Sequence, residues 1–203
     1  MDHIKPYYTI CIPSVVGREY TCQRLINELS KQIESGNYVD YFEILLDVDN
    51  KEVSIGAKRD RLHRKATGTF VISIDDDDMV APYFIKELMD NYDENVDTIG
   101  YVESVSMNNS TPKLSKISLT SVKWHERKIS IGGFNYFRTP YFKNPIKTDI
   151  VNKVGVKDMR FGEDADFSER IYPFLKKEKF INKVMYMYLY IKTEHNERYG
   201  IKK

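Results

Sequence analysis

The chain has 203 residues, 41% hydrophobic and 13% aromatic, enough for one packed domain and too much for a disordered segment. No run of eighteen apolar residues is present, so no membrane span is expected, and the short charged start, Met1 to Pro6, lacks the apolar stretch of a signal peptide. The formal net charge of +1 is unevenly spread: residues 1–111 hold 11 Lys+Arg against 20 Asp+Glu, a balance of −9, while residues 112–203 hold 20 against 10, a balance of +10. Halves of opposite sign point to two sub-sites with different ligands.

In chain order, "YYTICIPS" (Tyr7–Ser14) reads as a buried strand. Residues 18–35 place Tyr20, Cys22, Leu25, Ile26, Leu29 and Ile33 on one helical face, and Gly36-Asn37 ends the helix. "YFEILLDVD" (Tyr41–Asp49) is a second strand. Ser54 caps a helix through "IGAKRDRLHRKAT", which Gly68 ends. "TFVISI" is a third strand, followed by Asp75, Asp76, Asp77 and Asp78. Pro82 opens the next helix, with Tyr83, Phe84, Leu88, Met89 and Tyr92 inward, and Thr98–Val105 is a fourth strand. The second half has shorter elements. Residues 113–143 predict antiparallel strands, Pro145–Gly155 a short helix, Phe161–Leu175 a glycine turn and helix, and Lys183–Lys192 a late strand.

This β-α-β-α-β-α-β order, with strands that look buried on both faces, predicts an α/β fold with a mostly parallel sheet and helices on both faces. Cys11 and Cys22, in a strand and a helix, read as buried thiols of a reducing compartment, so the cytoplasm is the expected location. Ligands of such sheets bind beyond the carboxyl ends of the strands, where Ser14, Asp47, Asp49 and Asp75–Asp78 all lie. Neither G-x-G-x-x-G nor G-x-x-x-x-G-K-[ST] is present. Four consecutive carboxylates at a strand end suit Mg²⁺ or Mn²⁺, hard ions that take one or two protein carboxylates plus phosphate oxygens. A solvated turn that also caps the following helix is the plainer alternative, and one or two aspartates would suffice for it.

The stretch "SIGAKRDRLHRKATGTFVISIDDDDMVAP" resembles the donor-binding half of a family 2, GT-A-fold glycosyltransferase, in the manner of a compact viral (phage-like) or bacterial member. The resemblance implies a single domain over 1–203, with a nucleotide-sugar half (1–111) and an acceptor half (112–203). It implies a nucleoside-diphosphate sugar as donor, a UDP-sugar in first place, with Mn²⁺ or Mg²⁺ as cofactor. Asp75 and Asp77 match the two aspartates of the D-x-D motif, with Asp76 between them, and Asp77 is the first choice of metal ligand. "IPS" with Arg18 resembles the first nucleotide-contact loop. The aspartate that reads the uracil edge is Asp47 or Asp49, and Arg59 matches a helix arginine that reaches the donor. "FGEDADFSERI" resembles the family's E-D motif, with Asp164 as catalytic base and Glu163 as base partner or acceptor-orienting group. Glu163 and Asp166 are expected to repel Asp164 and raise its pKa. His195 is a candidate third metal ligand or phosphate contact, whereas His63 and His125 read as surface residues. One base opposite one leaving group implies single displacement with inversion.

The acceptor is expected to be polyanionic, such as nucleic acid carrying a hydroxymethylated base. Residues 112–148 carry Lys113, Lys116, Lys123, Arg127, Lys128, Arg138, Lys143 and Lys147, interleaved with Trp124, Phe134, Tyr136, Phe137, Tyr141 and Phe142. A neutral or lipid-linked glycan acceptor, a non-catalytic sugar-nucleotide-binding module and a nucleotidyltransferase are the alternatives, and no obligate protein partner is implied.

Overall fold

A computed structural model describes the chain from residue 5 to 121 and from 125 to 190, with backbone only over 125–129. His195, Lys123 and Trp124 lie outside the described residues, as do the side chains of His125, Arg127 and Lys128. The elements of the first half are β1 (Tyr8–Val15), α1 (Glu19–Ser35), β2 (Phe42–Asp49), α2 (Ile55–Lys65), β3 (Phe70–Ser73), β4 (Met79–Val80), α3 (Phe84–Asp90) and β5 (Thr98–Met107). There follow β6 (Lys113–Ile117), β7 (His125–Ile131), β8 (Phe134–Arg138), β9 (Ile146–Lys147), α4 (Thr148–Val154), α5 (Glu163–Ile171) and β10 (Glu178–Tyr190).

One sheet of ten strands runs β2-β1-β3-β9-β5-β6-β8-β7, and β10 pairs with β5 and β4. β2, β1 and β3 are parallel, as are β5 and β10. The two-residue β9 is antiparallel to both β3 and β5 and joins them. The later strands are mixed, since β6 runs parallel to β8 while β7 and β8 are antiparallel. The expected α/β class is therefore borne out, with a parallel β2-β1-β3 side and a mixed far side.

Sequence physics accounts for most of this. β1 and β3 are apolar or β-branched and buried on both faces. β2 is not, because it stands at the sheet edge, where Leu46 and Val48 are exposed. On α1 the residues Cys22, Leu25, Leu29 and Ile33 recur at helical spacing and are buried, but Tyr20 projects from the first turn and is 82% exposed. Pro82 lies in a turn, and α3 begins at Phe84 with Ile85 rather than Tyr83 on its buried face. Ser54 caps α2 as expected, its Oγ accepting from the Ala57 N–H at 3.0 Å. The helix ends at Lys65, ahead of Gly68.

Two glycines position the second motif. A Cβ on Gly56 would stand 2.0 Å from the Lys157 carbonyl oxygen, so only glycine lets the first turn of α2 touch the segment before α5. The Gly56 N–H donates to the Met159 carbonyl at 3.1 Å. Gly162, at φ 76°, turns the chain through the left-handed region directly into α5.

Candidate active site

α2 buries Lys58, Arg59 and His63 beside Leu62. Charged groups are buried only where partners receive them, so this helix marks a site rather than a core face. The partners are the aspartates at the strand ends.

The run after β3 folds into a turn in which the Asp78 N–H donates to the Asp75 carbonyl at 3.0 Å. Exposure alternates along it. The side chains of Asp75 and Asp77 are 25% and 26% exposed, while those of Asp76 and Asp78 are 0% and 4% exposed. Each acid meets a cation. Arg18 spans Asp76 and Asp77 with its two terminal nitrogens. Both terminal nitrogens of Arg59 donate to Asp75 Oδ1, at 3.0 and 2.8 Å. Lys143 Nζ is 2.7 Å from Asp78 Oδ2 and 3.6 Å from Asp75 Oδ2. Ser14 Oγ donates to Asp76 at 2.6 Å, so Ser14 and the sealed Asp76 support Arg18 from beneath rather than facing a ligand.

Burial pushes the Asp76 carboxyl up to about 6, against the pull of Ser14 and Arg18. Burial also raises Asp78, although Lys143 pulls it back. Burial would raise Asp75 as well, but Arg59, Lys143 and Arg18 together hold it below the usual carboxylate range. Lys143 is opposed by its own burial, yet Asp78 and then Tyr186 and its other neighbours hold its pKa above the ordinary lysine value. Its ammonium lies 4.4 Å from the Tyr186 ring centroid and 4.5 Å from that of Tyr188.

Arg59 reaches further. Its guanidinium stacks 3.7 Å from the Phe142 ring centroid, and one nitrogen stands 3.7 Å from Glu163 Oε1. The D-x-D stretch and the first turn of α5 thus meet on one arginine. Glu163 is buried, which raises its pKa, with Arg59 opposing. Asp164 is half-exposed and accepts from Arg138 at 2.9 Å. Burial alone would raise Asp164, but Arg138 holds it below the usual range, which corrects the expected upward shift. Asp166 does not press on Asp164 either, since it pairs with Lys157 and Arg170.

Asp47 and Asp49 end β2 on the same face. Asp49 accepts from Lys58 Nζ at 2.7 Å and from the Lys51 and Val53 N–H groups at 3.0 and 3.2 Å, so it holds its loop together. Asp47 accepts twice from the more exposed Arg61, at 2.7 and 2.9 Å. Buried Lys58 also donates to the Ser14 carbonyl, tying the ends of β1 and β2.

Lys58, Arg61, Arg138, Lys143 and Tyr186 belong to this constellation without having been singled out for it in sequence. The one pointer was the uncompensated acid run itself, which requires cations from somewhere. Among the described residues no three acidic, histidine or cysteine side chains form a metal cage. A two-carboxylate site on Asp75 and Asp77 still fits a hard cation that takes its other ligands from a phosphate, because these two acids alone in the run reach solvent.

His63 is a correction. It is buried, with Nε2 2.8 Å from Ser73 Oγ. Burial first, and Arg59 second, push its pKa down to about 3. The unfolded chain binds this proton near pH 6.5 and the folded chain only near 3, so His63 favours unfolding increasingly as pH falls through that window. The effect approaches about 1.4 kcal/mol per pH unit. His63→Gln is expected to flatten the pH dependence of the urea midpoint there, and an unchanged slope would show that His63 does not titrate in this way.

Cys11 and Cys22 are buried free thiols, as expected. Among the described residues no helix is long and apolar enough to cross a membrane.

No family model matches the chain, and no curated protein matches it significantly. Solved structures do. Residues 1–349 of S. aureus TarS match with TM-score 0.63 and 15% identity, covering 90% of this chain and 60% of that one. The same protein crystallised with UDP-GlcNAc matches with TM-score 0.61 and 15% identity, over 90% of this chain and 58% of that one. Its complex with UDP matches with TM-score 0.62 and 16% identity, over 90% and 60%. The chain thus spans about 60% of the length of these structures. At this identity the likeness concerns the fold, and the fold is of the expected GT-A type.

Proposed function

We propose that the protein is an inverting, metal-dependent glycosyltransferase that moves a sugar from a UDP-sugar to an acceptor hydroxyl. The carrying observation is the arginine that joins the two motifs, Arg59, at 2.8 Å from Asp75 and 3.7 Å from Glu163. It brings donor-type and acceptor-type carboxylates to one place, as transfer between two bound partners requires. The crystallised complexes of TarS with UDP-GlcNAc and UDP support the choice of donor.

Asp75 and Asp77 are the residues to hold Mn²⁺ or Mg²⁺, with Arg18 and Arg59 as their present partners. When bound, the ion supplies positive charge to the leaving diphosphate. Arg59 and Lys143 add fixed positive charge beside the same carboxylates. Asp164, kept ionised by Arg138, takes the acceptor hydroxyl proton as the oxygen attacks the anomeric carbon and the bond to phosphate breaks. Glu163, held by Arg59, orients the acceptor. Asp47 is the better placed reader of the base, because its arginine partner is exposed and exchangeable whereas Asp49 is committed to its loop.

The acceptor in this reading is polyanionic, on a narrower footing than the eight basic residues of 112–148 imply. Arg138 and Lys143 are counter-ions inside the site, so among the described basic residues of 112–148 it is Lys116 and Lys147 that carry this reading.

The test is UDP release from a panel of UDP-sugars with Mn²⁺, and mass spectrometry of hydroxymethylated oligonucleotide, glycan and lipid-linked acceptors. Asp77→Asn is expected to abolish metal-dependent donor binding while the far-UV circular dichroism is unchanged. Full activity of the wild type in chelator would remove the metal from this scheme. Donor binding without turnover on any acceptor would favour a sugar-nucleotide-binding module.

A further inference from the structure

Glu103 stands in the middle of β5 and has no part in the machinery above. Its register partners are Tyr186 on β10 and Ser115 on β6, and Ser115 in turn faces Tyr136 on β8. Directly paired residues share a sheet face, so these four side chains form one row. Tyr186, in that row, is also the ring against which the Lys143 ammonium rests. The row is buried: Tyr186 and Ser115 are 0% exposed, Glu103 4% and Tyr136 6%.

One polar atom in this row is sealed without a partner. Ser115 Oγ is buried with no hydrogen-bond partner. The Glu103 carboxylate, on a residue 4% exposed, forms no side-chain hydrogen bond or ion pair among the described residues, and only the more distant charges of Lys143 and Arg138 act on it. A carboxylate and a hydroxyl left unpartnered on neighbouring strands are costly in an apo fold. Such a pair is explained if a ligand brings the missing donors.

The place of Glu103 says which part of a ligand. Lys143 rests on Tyr186, the neighbour of Glu103 on β10, and Arg138 stands two residues along β8 from Tyr136 in the same row. Lys143 belongs to the acid run, and Arg138 holds Asp164. Glu103 therefore lies between the donor end and the base. In a glycosyl transfer that interval is filled by the sugar itself, with the leaving phosphate on one side of the anomeric carbon and the attacking hydroxyl on the other. Sugar hydroxyls donate hydrogen bonds, and an ionised carboxylate only accepts them.

We propose that Glu103, supported by Ser115, is the residue that selects the transferred sugar, its carboxylate accepting hydrogen bonds from ring hydroxyls. This rests on the glycosyltransferase reading above. A site with a buried acceptor rejects a sugar whose hydroxyl points elsewhere, because the acceptor is then left unpaired.

The experiment is calorimetric titration of wild type, Glu103→Gln and Ser115→Ala with UDP, UDP-glucose, UDP-galactose and UDP-GlcNAc in the presence of Mn²⁺. Glu103→Gln keeps shape and removes charge. It is expected to lower affinity for the preferred UDP-sugar on the order of tenfold, leaving the affinity for UDP alone unchanged. Ser115→Ala is expected to act in the same direction and more weakly, and it decides the matter if the Glu103 variant does not fold. Unchanged UDP-sugar affinity in both variants would overturn the assignment, as would an equal loss for UDP and UDP-sugar. A wild type that binds none of the four would bring down the glycosyltransferase reading, and this inference with it.

Discussion

Asp164→Asn is expected to cut acceptor-dependent turnover by about 10²–10⁴, the usual contribution of a positioned general base. Donor affinity should stay within about twofold, because Asp164 hydrogen-bonds Arg138 rather than the cations of the acid run. Asparagine still accepts from Arg138, so the local geometry survives the change. Pre-steady-state turnover and donor titration separate the two quantities. A parallel collapse of donor binding would move Asp164 to the donor site. The Arg138 bond also fixes a pH signature. With its pKa held below the ordinary carboxylate range by Arg138, Asp164 stays ionised throughout that range and contributes no acid limb above it. Arg138→Gln should raise that limb into the measurable range while lowering the rate.

Lys143→Met is expected to destabilise the fold by about 3–5 kcal/mol, the cost of leaving one partner of a buried ion pair alone. Lys143 and Asp78 are 6% and 4% exposed and stand 2.7 Å apart, so water cannot replace the lost cation. Asp78→Asn in the same chain should recover much of the loss. A neutral amide oxygen can still accept from Tyr186 Oη, which bonds Asp78 in the parent. Urea denaturation of both single variants and the double variant gives the coupling energy. A single-variant cost under about 1 kcal/mol would mean that the pair is far better solvated than its geometry implies.

Much of the first half of the fold was legible in the sequence, because its signals are local. Strand runs, the Ser54 cap and the aspartates at strand ends all depend on neighbours within a few residues. Tyr20 failed as a core residue because periodicity does not tell where a helix outruns the sheet beneath it. Partner choice was the larger gap. Lys143 and Asp78 are 65 positions apart, and nothing local in "YFKNP" distinguishes this lysine from one on a basic surface. The same distance effect hid Arg138 from Asp164, so a repulsive environment was expected where an attractive one exists. The choice between Asp47 and Asp49 could not be made from spacing, since residues two apart on a strand share a face. Their different partners on α2 separate them.

The two residues of β9 carry a consequence for how the protein is made. Ile146 and Lys147 fill the place between β3 and β5, two strands complete by residue 107. A ribosome-bound chain that has released β1 through β5 therefore still has a gap in its sheet, with polar backbone edges open on both sides. The gap closes only when residue 147 has emerged, about forty residues later. At roughly 5–20 residues per second this leaves a window of seconds. During that interval the aspartate turn also lacks Lys143. A chain truncated before this point should be a substrate for chaperones or proteases rather than a free-standing nucleotide-binding unit.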